Sequence, residues 1–574
     1  MRSWATSNPH ASAQDLLKKI KTYLNTSVRL LHLGRTPKKS IGLSIPIITM
    51  EDMEEHLGNT PFLVSHGGIS SEALTRKLDL NYSTALIGTK PRPFRGAFVH
   101  SPTPPPSGPR YGIYLYGQLY DSILSQLARH PDNPRKLKNN ENYPLINSPS
   151  QLFAIGEKDP FGVQSQFYNY FNSTPKYPLI YVRREMLPRV YPKLASLVGA
   201  KDHTEWVDRA RKSNWELLDE ETKKQLHDEY GNLKNLMSTL PGLMIKYPPG
   251  HIHENDGIRS ESVERTEGID GLLIPSLEAA KILMPGLDVS GFDARLKHII
   301  SLSDGRYCVN LRLDILSGQH AIVSCISRII IFSIEGGRLN KLSLQEVTHS
   351  DVVLGSGSAA KFVGFDDPRV IRHKDGDYII SNASVGGGSR KMFIYDVSLD
   401  RCAPIQTRNF QTNTKEKNWT PFIHEGSLHL LYSLNPLVVL KSIDGKPDLY
   451  ECIKKDTQED SVRIDYPWGS TPLLPWLPPY FVGFAHSRHP WRAVPFVYNS
   501  KELTIRFGSP FNIEQPEGAI SWRGKSVQFP YDLELNEASV KLSVEFEDRF
   551  SAEVYLSFED FCMEISRLIS RDIS

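Results

Sequence analysis

Hydrophobic and polar positions follow two different rhythms along this chain. From about Asp293 onward, apolar runs are short and turns recur between them. Examples are Tyr307–Ile315, Arg328–Ile334, Tyr378–Ala383, Lys391–Val397, Ser427–Leu434, Ala493–Asn499 and Val540–Phe546. Strands of about 4–8 residues at about 8–12-residue spacing predict an all-β architecture: a sandwich, a barrel or a propeller. Asp304-Gly305, Asp375-Gly376 and Asp444-Gly445 are Asp-Gly pairs that close hairpins. The larger blocks repeat at roughly 50 residues, which is the span of a propeller blade, and give four or five units. There is no strict sequence repeat.

The N-terminal half reads as mixed α/β. Residues 11–33 carry a helical pattern, and short strands alternate with loops after them. Ser101–Pro109 (SPTPPPSGP) is a proline-rich linker or surface loop. Residues 202–240 form a helical insert. In it Asp219 caps a second helix that is expected to stop at Gly231. Near the end, Phe558, Phe561, Cys562, Ile565, Leu568 and Ile569 share one helical face, and Ser557 with Asp560 caps the turn before them. The expected organisation is a mixed region over 1–255, a β domain over 256–556 and a closing helix over 557–574.

Composition narrows the function classes. The chain has 574 residues, and 67 Lys+Arg against 65 Asp+Glu leave a net charge of +2. Such a balance argues against a protein built on nucleic acid or acidic membrane. No stretch reaches the roughly 18 apolar residues of a membrane helix. Lys18, Lys19, Lys21 and Arg29 break the first thirty residues, so no signal peptide is expected there. The five cysteines are dispersed without a CxxC, which disfavours a zinc site and a disulfide-built fold. Sequons at Asn25, Asn81, Asn172, Asn382 and Asn418 are what chance gives in a chain of this length.

Three polar clusters fall at strand ends and loops. Gly364–Arg369 (GFDDPR) sets two carboxylates beside a proline and an arginine. In an extended chain Asp366 and Asp367 point to opposite faces, so one can face a pocket while the other caps or pairs with Arg369. A carboxylate near a guanidinium stays ionised, which suits a base or a sugar-hydroxyl acceptor. A plain Asp-Pro turn is the competing reading. Glu416–Phe422 (EKNWTPF) packs a cation, an amide and an indole together, a set that holds a phosphate and a sugar face, or else a core tryptophan at a blade edge. Trp468–Pro472 (WGSTP) and Gly483–Ser487 (GFAHS) bring a hydroxyl-rich turn and His486.

Other features are weaker. His251 and His253 alternate on one strand face but lack a third ligand at a telling spacing. Gly386–Arg390 (GGGSR) matches neither GxGxxG nor a P-loop. No GxSxG elbow is present, and no DxD motif stands near a Rossmann-like pattern.

In order, FDDPRV, EKNWTPF, GSTP, GFAHS, SVQFP and SVEFED resemble the five-bladed propeller of β-mannoside phosphorylases and hydrolases. The chain is more similar still to the fungal β-1,2-mannosyltransferases of the Candida cell-wall type. The motifs span Phe365 to Asp548, about a third of the sequence.

The resemblance implies a mainly β fold, with a five-bladed β-propeller after an α/β N-terminal half. It implies an inverting mannosyltransferase that uses GDP-mannose as donor and a mannan or mannoside as acceptor. No cofactor, metal or nucleic acid is expected. It makes Asp367 the catalytic acid/base. Asp366, Arg369, Arg390, Lys417, Asn418, Trp419, Thr471, His486 and Asp548 are then the substrate-binding set. Asn418 and Asp548 hold the sugar, Lys417 contacts phosphate, and His486 lines the pocket.

Two departures matter. Where phosphorylases carry a further phosphate-binding arginine, this chain reads Tyr432–Pro436 (YSLNP), which weakens inorganic phosphate as a substrate. The fungal enzymes carry an N-terminal membrane anchor, and none is read here, so the implied Golgi location stands against a cytoplasmic one. A phosphorylase or hydrolase and a non-catalytic glycan-binding propeller are the alternatives.

Overall fold

The computed structural model describes residues 178–197, 220–249, 258–265, 276–283, 292–316, 322–336, 338–353, 362–373, 376–457, 467–488, 491–511, 527–536, 539–546 and 550–570. Shorter stretches lie at 30–32, 63–66, 85–88 and 111–117, with single positions 119, 120, 164, 167, 168, 171 and 513. The chain divides into two compact units, 1–253 with 570–574, and 254–569.

The first unit is built on one sheet. Its strands are β1 (Leu30–His32), β2 (Leu63–His66), β3 (Ala85–Gly88), β4 (Tyr111–Tyr116), β5 (Leu179–Arg183) and β6 (Leu243–Lys246), in that order across the sheet. β1 to β5 pair in parallel, and β6 closes the edge antiparallel to β5. Among the described residues, two α-helices follow β5: α1 (Leu187–Leu197) and α2 (Glu220–Thr239). Tyr114, Tyr116, Phe171 and Tyr181 pack ring against ring over the parallel strands. Lys246 is buried beside them and donates to the Phe171 carbonyl at 2.7 Å, and burial lowers its ammonium to about 8.

Two expectations need correction here. Leu30–His32 is a strand, not the end of a helix, because it pairs with β2. The helix expected to stop at Gly231 runs on to Thr239. Leu226, Tyr230, Leu233 and Met237 keep one buried face through the glycine. The helix ends where Arg183 caps it, donating to the carbonyls of Ser238, Leu240 (2.9 Å) and Met237 (3.4 Å). Residues 1–29, Ser101–Pro109, 202–219 with Asp219, and the His251/His253 pair lie outside the described residues.

The second unit is almost wholly β, with five antiparallel groups among the described residues. The first is β8 (Asp293–Ser301), β9 (Tyr307–Leu316), β10 (Ile322–Glu335) and β11 (Arg338–Glu346). The second is β12 (Phe362–Ile371), β13 (Tyr378–Gly386), β14 (Ser389–Asp396) and β15 (Arg401–Pro404). The third is β17 (Thr420–His424), β18 (Ser427–Leu434), β19 (Leu437–Ser442) and β20 (Leu449–Lys455), with β16 (Gln406–Thr407) at its edge. The fourth is β21 (Trp468–Gly469), β22 (Leu474–Pro475), β23 (Tyr480–Arg488), β24 (Trp491–Asn499) and β25 (Thr504–Phe507). The fifth is β26 (Gln528–Asn536), β27 (Ser539–Phe546) and β28 (Phe550–Leu556). Its fourth strand is β7 (Ser260–Arg265), from the start of the unit.

The mainly β texture is therefore as the pattern indicates, and Asp304-Gly305 and Asp444-Gly445 both fall between paired strands, while Asp375 lies outside the described residues. Five separate blades are not what the pairing draws. β10 and β12 pair in parallel at Cys325–Ser327, so the first two groups share one eight-stranded sheet. Each group packs on the next, and β26, β27 and β28 of the fifth lie against β8 of the first.

Apolar residues fill the spaces between groups. Ile329, Ile331, Phe365, Val370, Phe393 and Tyr531 form one such cluster. Phe422, Leu431, Val439, Phe481 and Phe496 form another. Helix α3 (Ser276–Leu283) buries Ala280 and Leu283 against Val309, Leu311 and Phe332. Helix α4 (Phe558–Ser570) buries the apolar face read from the sequence. None of the five cysteines is in a disulfide. No helix of the described residues is long and apolar enough to cross a membrane.

Candidate active site

The site begins with a defect in β12. Gly364 has φ +91°, and a Cβ there would collide with the Ser327 carbonyl on β10. Only glycine lets the two strands approach so closely. We expect Gly364→Ala to cost about 3 kcal/mol or more, from the positive φ and the collision together. A urea melt of the variant measures it.

Three residues on, Asp367 has φ +52°. The β12–β13 register shifts there, from Asp366 opposite Asn382 to Arg369 opposite Ile380, so β12 carries one extra residue. This bulge replaces the extended backbone assumed for the Asp-Asp pair. It buries Asp366 and leaves Asp367 half-buried.

Arg369 is buried at 2 % exposure and fixes the bulge from inside. It donates Nη1 to the carbonyls of Asp367 and Pro368, each at 3.0 Å, and Nε to the carbonyl of Ser470. Its guanidinium also lies 5.1 Å from the Phe529 ring centroid. Asn382, which the sequence marked only as a sequon, donates Nδ2 to the Asp366 carbonyl at 3.1 Å and to Asp367 Oδ2 at 3.5 Å.

The two carboxylates are thereby set apart. Burial alone would push the Asp366 carboxyl up. Lys297, Arg312, Arg390 and His298 overcome this and hold it well below the usual carboxylate range. Ser327 Oγ donates to Asp366 Oδ1 at 3.4 Å, and Arg390 Nη2 stands 3.6 Å from Oδ2. Asp366 is thus a fixed anion. Asp367, half-buried on its bulge, is the more open of the two carboxylates.

Sequence reasoning missed the charged layer behind Asp366. Lys297 Nζ and His298 Nε2 hold the two oxygens of Glu545 at 2.8 and 2.9 Å. Arg295 and Arg312 share Asp314 at 3.2 and 2.8 Å. Asn310 donates to Ser327 Oγ at 2.8 Å. All of these are buried. One signal was available: Arg295 and Lys297 on β8, like Asn310, Arg312 and Asp314 on β9, recur with period two inside otherwise apolar strands.

The second cluster is organised by Glu416. This buried carboxylate accepts from the Asn413 amide, from Trp419 Nε1 at 2.9 Å and from the Tyr432 hydroxyl at 2.8 Å. Burial raises its pKa despite those donors. Trp419 is spent on the core, at 1 % exposure among Ile394, Leu430 and Tyr450. Lys417 is exposed, its Nζ 5.8 Å from the Trp468 ring, and Asn418 is half-buried at φ +62°. Glu416→Ala is expected to cost about 1–3 kcal/mol, since it strands the buried Trp419 donor and two part-buried ones, the Asn413 amide and the Tyr432 hydroxyl. The same denaturant melt checks it.

In the third cluster, Ser470 Oγ and His486 Nδ1 are 2.6 Å apart, and both residues are buried. Thr471 gives its hydroxyl to the backbone, accepting from the Phe484 amide at 2.9 Å. Asp548 lies outside the described residues.

Contacts join the three clusters. Arg369 reaches Ser470 from the first to the third. Gly469 lies so close to the Asn418 carbonyl and Thr420 Oγ1 that a Cβ would strike both, and the Leu473 amide donates to the Pro421 carbonyl at 2.9 Å. Arg390 joins the first to the second: it stands beside Asp366, and its backbone pairs with Thr414 and Glu416 at 2.9 and 3.1 Å. His486 packs on Phe529, the ring beneath Arg369.

The chain matches no known family model, and no curated protein matches it. Solved structures give low similarity. A β-1,2-mannobiose phosphorylase from Listeria innocua, in complex with β-1,2-mannobiose, aligns at TM-score 0.38 and 10% identity, over 53% of this chain and 99% of that one. A glycosyl hydrolase from Bacteroides ovatus aligns at 0.32 and 11%, over 46% and 83%. A GH130 structure, from a family of mannoside phosphorylases that contains glycoside hydrolases targeting β-1,2 mannosidic linkages in Candida mannan, aligns at 0.31 and 11%, over 46% and 83%. At this level the likeness assigns neither an activity nor residue roles to this chain.

Proposed function

We propose that this protein is a carbohydrate-active enzyme that exchanges a mannosyl group between an α-mannosyl phosphate ester and a β-mannoside, with inversion at the anomeric carbon. The observation that carries the reading is the pair Asp366–Asp367: one carboxylate locked as an anion, its neighbour held half-open on a pinned bulge.

In the synthetic direction the donor's C1–O–phosphate bond breaks and the acceptor's O–C1 bond forms. Asp367 takes the acceptor hydroxyl proton, directly or through a sugar hydroxyl, and the phosphate leaves as an anion. Lys417, Arg390 and His486 offset charge on the phosphate side. One proton-moving carboxylate suffices, because the leaving phosphate needs no acid. Hydrolysis by inversion would demand a second carboxylate to activate water.

The sequence resemblance supports mannose as the sugar and GDP-mannose as the donor. The absence of arginine in Tyr432–Pro436 favours that donor over inorganic phosphate chemistry. On this reading the strand groups of the second unit are arranged around the charged layer as in a propeller, with the first two groups joined through β10 and β12 and the last completed by β7.

The test offers the protein GDP-mannose or mannose 1-phosphate with an α-mannoside acceptor, and separately β-1,2-mannobiose with phosphate. A β-linked mannose made from GDP-mannose supports the reading with its preferred donor. Formation from mannose 1-phosphate alone moves the chain to reversible phosphorolysis. No mannosyl transfer in either direction overturns it.

A further inference from the structure

The β12–β13 ladder sets one side chain against both residues of the Asp-Asp pair. Asn382 on β13 stands opposite Asp366, at the edge of the bulge. It is 1 % exposed, so its sequon offers no acceptor for a glycan in the folded protein. The amide is divided between two tasks. Its Nδ2 donates to the Asp366 carbonyl at 3.1 Å and to Asp367 Oδ2 at 3.5 Å. Its Oδ1 is buried without a hydrogen-bond partner among the described residues.

Backbone and side chain of the bulge are held by different groups. Arg369 binds the carbonyls of Asp367 and Pro368 and so fixes the backbone. The Asp367 carboxylate receives its hydrogen bond, among the described residues, from Asn382 alone. Rotation of that side chain is therefore checked by this amide. The contact is longer than the usual ~2.9 Å bond, as hydrogen bonds to catalytic groups often are before substrate binds. An orphaned buried acceptor costs about 1–3 kcal/mol. A smaller donor would serve the Asp366 carbonyl without that cost, but it would not reach the Asp367 carboxylate.

We propose that Asn382 is a positioning residue for the proton-moving step: it holds Asp367 by Oδ2 and so presents Oδ1 as the oxygen that takes the proton. This rests on the mannosyl-transfer reading for the identity of the step. Misplacing a reacting atom by about 1 Å costs on the order of 10²-fold in rate, so the effect belongs in kcat.

The test compares the full chain with Asn382→Ala and Asn382→Ser, each offered GDP-mannose and an α-mannoside acceptor, together with a crystal structure of each protein. Asn382→Ser keeps a hydroxyl for the neighbouring backbone and loses the reach to the carboxylate, so it decides the matter should Asn382→Ala melt early. The expected result is a roughly 10–100-fold fall in kcat with KM within about twofold of the parent. The Asp367 carboxylate is expected to take more than one rotamer on an unchanged bulge. A merely structural asparagine would move the melting temperature and leave that rotamer alone. Unchanged kcat in Asn382→Ser, or an Asp367 side chain that keeps its parent rotamer there, overturns the assignment. The two readings fail separately. A released rotamer in a chain that transfers no mannose in either direction leaves the positioning role and removes the reaction. Transfer that is as fast in Asn382→Ser as in the parent does the reverse.

Discussion

Asp367→Asn is expected to cut turnover by about 10²–10⁴-fold while leaving the melting temperature close to that of the parent. The substitution keeps the shape of the side chain and removes its ability to carry a proton. The backbone of the bulge is fixed by other groups: Arg369 binds the carbonyls of residues 367 and 368, and Asn382 binds the carbonyl of Asp366. None of these contacts uses the Asp367 carboxylate. The longer Asn382–Asp367 bond, at 3.5 Å, is the one that changes. A loss confined to kcat, with substrate still bound, is the signature of a proton-moving group. Full activity in Asp367→Asn removes the residue from the mechanism.

Lys297→Met is expected to be the most damaging single change to stability, at about 3–5 kcal/mol. Lys297 and Glu545 are exposed to 1 % and 2 %, and their ion pair spans 2.8 Å between the first and fifth strand groups. Losing the ammonium leaves Glu545 with His298 alone and takes one of the cations from Asp366. The consequence has a pH signature. A carboxylate whose folded pKa is depressed contributes stability above its unfolded value, near ~4, and loses it as pH falls through the folded value. In the parent, Asp366 therefore supports the fold down through the ordinary carboxylate range. In Lys297→Met that support is expected to fade at higher pH. Melting temperatures of both proteins between about pH 7 and pH 3 measure this, and parallel curves would deny Lys297 its role.

The residues explain what could be read in advance. Strand rhythm and Asp-Gly turns are local signals, so the β texture of the second unit was legible. The grouping of residues 364–369, 416–422 and 469–487 was legible as motif order. Their mutual contacts through Arg369, Gly469 and Arg390 are long-range and were not. Alternation placed Asp366 and Asp367 on opposite faces, but a bulge adds a residue that no period can announce. The fusion of two groups through β10 and β12 depends on Gly364, a glycine that reads like any other until its neighbour is known. Helix α2 ran past Gly231 because four buried side chains outweigh the roughly 1 kcal/mol a glycine costs inside a helix. The buried charges on β8 and β9 were visible as polar residues in apolar strands, yet their partners Asp314, Glu545 and Asp366 come from three different strands.

The central claim is a single inverting displacement served by Asp367. Proton NMR of the anomeric region, followed from the first minutes of reaction with an α-mannosyl phosphate donor and an α-mannoside acceptor, tests it most directly. The account predicts that the first new linkage is β in the parent protein and that its signal is absent in Asp367→Asn. A first-formed α linkage, or a β linkage made equally fast without the carboxylate, would contradict it.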